Sequence, residues 1–180
     1  MNFLDLVGTR QSVRRFEPGR SIPREILDRC LEAARLAPSA CNSQPWTFVV
    51  VDDPMQVRSL AIESCGRPPY AMNKFAADAS ALVAVVTEKM KLAARIGAQF
   101  RGVQYSLVDV GIACEHLVLQ ATEDGIGSCW LGWFDEKAVK RRLGIARSAK
   151  VDLMICLGYA ADPEIRTKVR RTLDSVRRFA

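Results

Sequence analysis

Three short stretches of this chain carry side chains suited to more than packing. In Arg10-Gln11-Ser12-Val13-Arg14-Arg15-Phe16 the polar residues alternate, so an extended chain projects Arg10, Ser12 and Arg14 to one side. Guanidinium forks and a hydroxyl together suit the oxygens of a phosphate. A solvated basic surface accounts for the same residues. In Leu36-Ala37-Pro38-Ser39-Ala40-Cys41-Asn42-Ser43-Gln44-Pro45-Trp46, two prolines bracket amide and hydroxyl groups. The result is a stiff loop whose donors and acceptors match the edge of a heteroaromatic ring, or simply a turn, since Asn and Ser are ordinary turn residues. The third stretch is Gly125-Ile126-Gly127-Ser128-Cys129-Trp130-Leu131-Gly132-Trp133-Phe134-Asp135. Its glycines let backbone approach a flat ligand closely and offer N–H groups to it. Its tryptophans fit a core or a subunit contact as readily as a stacking role.

Catalytic groups of other kinds are scarce. The single histidine, His116, falls inside an apolar run and reads as a core residue rather than an acid or base. There is no G-x-S-x-G turn, and the six cysteines are widely spaced without a C-x-x-C pair, which argues against a zinc site or a redox disulfide. Reduced, mostly buried thiols are expected, with Cys41 in the second stretch the one to watch. The chain is poor in side chains of the usual catalytic kinds.

The net charge of +6 is concentrated near the end, where Arg166, Lys168, Arg170, Arg171, Arg177 and Arg178 face only Glu164 and Asp174. This end attracts anions. A nucleic-acid surface is disfavoured, because no arginine-glycine repeat, helix-turn-helix signal or aromatic interleaving accompanies the charge. No apolar run approaches the length of a membrane span. The first residues lack the pattern of a secretory signal, so a cytoplasmic protein is expected.

The elements that must position these groups are legible in part. Apolar positions Ile26, Leu27, Cys30, Leu31, Ala34 and Ala37 follow Pro23 at helical spacing and predict a helix ending near Pro38. Thr47–Val51 predicts a buried strand stopped by Asp52-Asp53-Pro54, and Ala81–Thr87 predicts another. From Tyr105 to Asp124 a helix with little polar face must be central. Cys129–Phe134 reads as a strand, Glu136–Leu143 as a charged helix and Val151–Tyr159 as the last inner strand. The length of 180 residues suits one domain spanning 1–180, with no repeat or linker to divide it. No early strand leads into a glycine-rich helix start, so the doubly wound dinucleotide fold fails its own test.

Taken together, R-x-S-x-R-x-F, A-P-S-x-x-N-x-Q-P-W, G-x-G-x-x-W-x-G-x-F-D, then L-G-Y and a basic tail resemble the nitroreductase family of FMN enzymes, in order and across nearly the whole chain. The resemblance implies an α+β, nitroreductase-like fold: a central, mostly antiparallel sheet flanked by helices, in an intertwined homodimer with FMN at the subunit interface. Carried over by position, Arg10 and Ser12 hold the FMN phosphate and ribityl end together with Lys168 and Arg170. Gln11 matches a further contact, and Arg14 lies near the pyrimidine edge. A cation there favours reduction, because reduction leaves negative charge at that edge. Pro38, Ser39, Ala40 and Asn42 reach the flavin from the partner subunit. The backbone of Leu131, Gly132 and Trp133 faces its hydride-accepting nitrogen and adjoining carbonyl, and Asn73 is the nearest match to a flavin-contacting asparagine.

The chain also departs from the family pattern. Larger members carry a glutamate where this chain has Gly132, so that carboxylate's role is absent. The segment from Glu88 to Gln104 occupies a variable, substrate-covering region and reads either as a mobile amphipathic lid or as a surface helix. The activity implied is hydride transfer from NAD(P)H, then reduction of a small acceptor such as a nitroaromatic, quinone or flavin in ping-pong order. Alternatives are a noncatalytic FMN-binding or regulatory protein, or divergent reductive chemistry such as dehalogenation or enamide or ring reduction, since one fold hosts many reactions.

Overall fold

The computed structural model describes residues 2–88, 102–162 and 164–180. Most of the region between Glu88 and Gln104, read from sequence as either a lid or a surface helix, lies outside the described residues. Four strands form one antiparallel sheet in the order β1-β2-β4-β3: β1 is Trp46–Val51, β2 Ala81–Thr87, β3 Gly127–Leu131 and β4 Lys150–Gly158. Side chains alternate across a strand, and β2 uses both faces. Ala81, Val83 and Val85 point into one core, Leu82, Ala84 and Val86 into the other.

The first core is closed by two helices, α2 (Arg24–Arg35) and α4 (Tyr105–Glu123). Leu27, Cys30 and Ala34 of α2 meet Val110, Ala113, Cys114, Leu117, Val118 and Ala121 of α4, each at the three- and four-residue spacing that makes one helical stripe. On the other face lie α3 (Pro54–Cys65), a 3-10 segment (Ala71–Asp78) and α5 (Glu136–Leu143), which bring Val57, Leu60, Ala61, Cys65, Ala76 and Val139 against the sheet. Burying each larger side chain contributes about 1.5–3 kcal/mol. Local chemistry sets the helix starts: the carboxylates of Asp53 and Asp135 accept the N–H groups of Gln56 and Ala138, capping α3 and α5.

Two sequence expectations need correction. β1 is an edge strand and buries only Val51 fully, so its β-branched run reflects pairing on one side rather than burial on both faces. The strand expected over Cys129–Phe134 instead spans Gly127–Leu131, because Phe134 and Asp135 already belong to the turn that caps α5. Helix α4 is central along most of its length, yet Leu107 and Val108 in its first turn are 43% and 50% exposed. Five of the six cysteines are buried and all are free thiols, with Cys41 alone exposed. Burial pushes the Cys114 thiol up to about 12, which keeps it protonated and inert.

The N-terminal segment reaches the sheet without becoming a regular strand. After helix α1 (Phe3–Thr9), Ser12 pairs in parallel with Ser128 and Phe16 pairs antiparallel with Ala160. Val13 N–H donates to Ser128 O at 2.8 Å, and Glu17 N–H to Tyr159 O at 2.9 Å. Two glycines that face each other across β3 and β4, Gly127 and Gly158, make this approach feasible. A Cβ on Gly127 would stand 2.7 Å from Val13 Cγ2, and one on Gly158 would stand 2.7 Å from Phe16 Cδ1. The close approach that Gly127 permits is therefore to the chain itself.

Candidate active site

Fixing Val13 and Phe16 in the core turns their neighbours outward. Arg10, Gln11, Ser12 and Arg14 line one cavity of about 320 Å³, whose far wall is Arg166, Lys168 and Arg170 of the C-terminal segment. The two walls are joined directly. Arg166 donates to the carbonyl of Ser12 and, at 3.2 Å, to Oε1 of Gln11, while Gln11 Nε2 donates to Glu164 O at 2.9 Å. Lys168 donates to Gly8 O. Arg166 was not singled out as a site residue from sequence, yet it is the strut that holds the cradle's two halves together.

The cradle is cationic and under-satisfied. Arg10 has Glu115 as an ion partner at 3.7 Å, but its Nε is buried with no hydrogen-bond acceptor. Burial holds the Lys168 ammonium below its ordinary range, and the nearby charges of Arg10, Arg170 and Arg166 add to that effect. Both observations describe a place where an anion relieves repulsion and supplies a missing acceptor.

A second group forms about Trp133. Asn73 Nδ2 donates to Trp133 O at 2.8 Å, and Trp133 Nε1 donates to Pro69 O at 3.0 Å. The Tyr70 and Trp133 rings lie 5.7 Å apart between centroids. Asn73 is thus tied to the Leu131–Gly132–Trp133 backbone, a link that the sequence reading did not foresee. Nothing lies within 4 Å of where a Cβ on Gly132 would be. Here a glycine does leave open space beside the backbone, unlike Gly127. Trp133 itself is 53% exposed and is not a core residue.

The third group is the Pro38–Asn42 loop, which contains a 3-10 turn at Ala40–Asn42. Cys41, Asn42 and Gln44 all adopt positive φ, at 53°, 50° and 48°. Non-glycine residues rarely cluster in this region, and strain of this kind collects at binding sites. The loop packs beside the start of α4, and neither Pro38, Ser39, Ala40 nor Asn42 lines the cradle of Arg10 and Lys168. His116 is half-buried with Nδ1 3.2 Å from Ala33 O and does not line the cradle, in keeping with a structural role.

The sequence pattern of the nitroreductase family matches residues 7–81 and 69–159. The chain belongs to the nitroreductase family. It is 32% identical over 165 residues to an Archaeoglobus fulgidus protein provisionally named NADH dehydrogenase/NAD(P)H nitroreductase, covering 88% of this chain and 86% of that one. It is 31% identical to an NADH dehydrogenase of Thermus thermophilus, covering 85% and 84% of the two chains. Among solved structures, a nitroreductase-type protein of Exiguobacterium sibiricum, crystallised with FMN, superposes with a TM-score of 0.78 over 100% of this chain and 98% of that one. At 21% identity that likeness concerns the nitroreductase fold.

Membership of the nitroreductase family fits the arrangement just described: four antiparallel strands, helices on both faces, and an N-terminal segment pinned to β3 and β4. No helix among the described residues is long and apolar enough to cross a membrane, and no group of three or more potential metal ligands is found among them.

Proposed function

We propose that this chain is an FMN-dependent oxidoreductase that takes a hydride from NAD(P)H and passes electrons to a small acceptor, such as a nitroaromatic, quinone or flavin, in ping-pong order. The observation that carries the reading is the cradle. It offers Arg10 Nε without an acceptor and a Lys168 ammonium crowded by three arginines, a donor set that a terminal phosphate would satisfy. Arg10, Ser12, Lys168 and Arg170 hold that phosphate and the adjoining ribityl chain, with Gln11 beside them and Arg166 bracing the wall. Arg14 places a fixed positive charge near the ring's pyrimidine edge. The Leu131–Trp133 backbone, anchored by Asn73, faces the ring, and the open space at Gly132 lets it approach. When bound, FMN supplies the hydride acceptance and donation that no side chain here can provide.

A homodimer completes the site. Pro38, Ser39, Ala40 and Asn42 stand apart from the cradle of their own chain and reach that of a second copy. Exposed apolar surface supports the pairing: α1 buries no residue, and Phe3, Leu4, Val169 and Phe179 are 66% to 89% exposed. Patches of this kind mark subunit contacts. The whole chain, 1–180, acts as one flavin-binding domain in the cytoplasm, and its free thiols suit that reducing compartment.

The test is the visible spectrum of protein reconstituted with FMN, followed anaerobically as NADPH or NADH is added. A flavin band that bleaches supports the reading. Failure to retain flavin overturns it, and a bound flavin that neither nicotinamide reduces favours a noncatalytic or regulatory role.

A further inference from the structure

Asp109 lies in the second turn of α4 and is only 3% exposed. Taking a carboxylate out of water costs several kcal/mol unless hydrogen bonds replace the lost hydration. Its two oxygens accept the same donor, the backbone N–H of Ala40, at 3.1 and 3.2 Å across a separation of 69 residues. Among the described residues these are the only hydrogen bonds of its side chain.

Ala40 opens the 3-10 turn of the Pro38–Asn42 loop, directly after the extended Ser39 and just before the positive-φ residues Cys41 and Asn42. A left-handed backbone costs about 1–2 kcal/mol at an ordinary residue and less at asparagine, so the loop needs something to hold it. Its remaining hydrogen bonds are internal. Asn42 N–H donates to Ser39 O, Ser43 N–H to Ala40 O, Gln44 N–H to Ser39 Oγ, and Gln44 Nε2 to Asn42 Oδ1. These bonds shape the loop without fixing where it sits. Among the described residues, the Asp109–Ala40 contact is the one hydrogen bond that ties it to another element.

We infer that Asp109 is a positioning residue: through the Ala40 amide it fixes the Pro38–Asn42 loop in the place from which it meets the flavin of the partner subunit. This assignment rests on the flavin reading above. It also explains why a buried acid survives among the packing residues of this helix, since an apolar residue at 109 would leave the Ala40 N–H without an acceptor.

Two substitutions separate the hydrogen bond from the charge. Asp109→Leu removes the acceptor, whereas Asp109→Asn keeps an oxygen able to accept from Ala40 and removes the charge. Amide hydrogen exchange on the flavin-free protein reads the loop, and fluorescence titration with FMN reads the site. In Asp109→Leu, exchange at residues 40–44 is expected to quicken at least tenfold while α2 and the last turns of α4 stay protected. FMN binding is expected to weaken about ten- to a hundredfold, the range for losing a hydrogen bond to a charged group. Asp109→Asn should stay within about threefold of the parent in both measurements. Asp109→Ser, too short to reach Ala40, carries the same expectations as Asp109→Leu if the leucine variant does not fold. Unchanged loop exchange overturns the assignment. So does a loosened loop with unaltered FMN affinity, which is the mark of a purely structural role, or an asparagine variant as impaired as the leucine one. A parent protein that binds no FMN would sink the flavin reading and the ligand half of this assignment, while the exchange result still decides the tether.

Discussion

Arg10 is the residue on which the proposed site depends most. Its Nε is buried without an acceptor, and its partner Glu115 sits at 3.7 Å, too far for a good hydrogen bond. Arg10→Ala should therefore weaken FMN binding about ten- to a hundredfold, the range for one charge-assisted hydrogen bond, while the melting temperature of the flavin-free protein stays within about 2 °C. Equilibrium dialysis with a thermal melt checks both, and unchanged flavin affinity would remove Arg10 from the site. In the sequence, alternation only suggested Arg10, Ser12 and Arg14, and the family resemblance supplied their role; the structure groups them about one cavity with Val13 packed inward between Ser12 and Arg14. Arg166 and Asp109 were not legible in the same way. Both act on backbone atoms far along the chain, Ser12 O and Ala40 N, and no local pattern records such a partner. The available signal for Asp109 was an acid set between Val108 and Val110 near the start of an apolar helix, where a buried charge demands an explanation.

The elements show how those residues come to share a cavity. Segment 12–16 crosses the ends of β3 and β4 because Gly127 and Gly158, paired across the strands, present no side chain to it. Gly127→Ala would set a Cβ 2.7 Å from Val13 Cγ2 and 3.1 Å from Gly158 O, so one side must move. Overpacking of this kind costs about 1–3 kcal/mol. The expected outcome is a lower denaturation midpoint together with weaker FMN binding, since Val13 sits between Ser12 and Arg14. A variant with parental stability and affinity would show that the crossing is not set by these glycines. Strands β2 and β4 and helices α2, α4 and α5 were readable because apolar periodicity marks what is buried. Helices α1 and α3 were not foreseen. For α3 the signal was present, as Asp53 caps it and Pro54 occupies its first turn, but Asp52-Asp53-Pro54 was read only as the end of β1. For α1, Asn2 caps a segment with Phe3, Leu6 and Val7 at helical spacing, a short signal that was not used.

The molecule as a whole exposes more apolar surface near its two ends than a lone chain favours. Leu173 and Val176, in the short helix α6 (Leu173–Val176), are 64% and 62% exposed beside Val169 and Phe179. Sedimentation should give twice the chain mass, and Leu173→Asp with Val176→Asp should shift the protein toward monomer. On the proposed reading flavin should be lost in parallel, because the Pro38–Asn42 loop of one copy would then no longer reach the cradle of the other. A stable, flavin-loaded monomer would contradict the shared site. Fold class was legible from the order of motifs, but no sequence period reports which surfaces two copies share. The cradle also imposes a schedule on synthesis. Arg10 and Ser12 leave the ribosome early, whereas Lys168 and Arg170 emerge more than 150 residues later. On the proposed reading, a released chain that ends before residue 166 keeps all four strands yet cannot grip FMN, so flavin uptake distinguishes chains that carry both walls of the cradle from chains that lack the second.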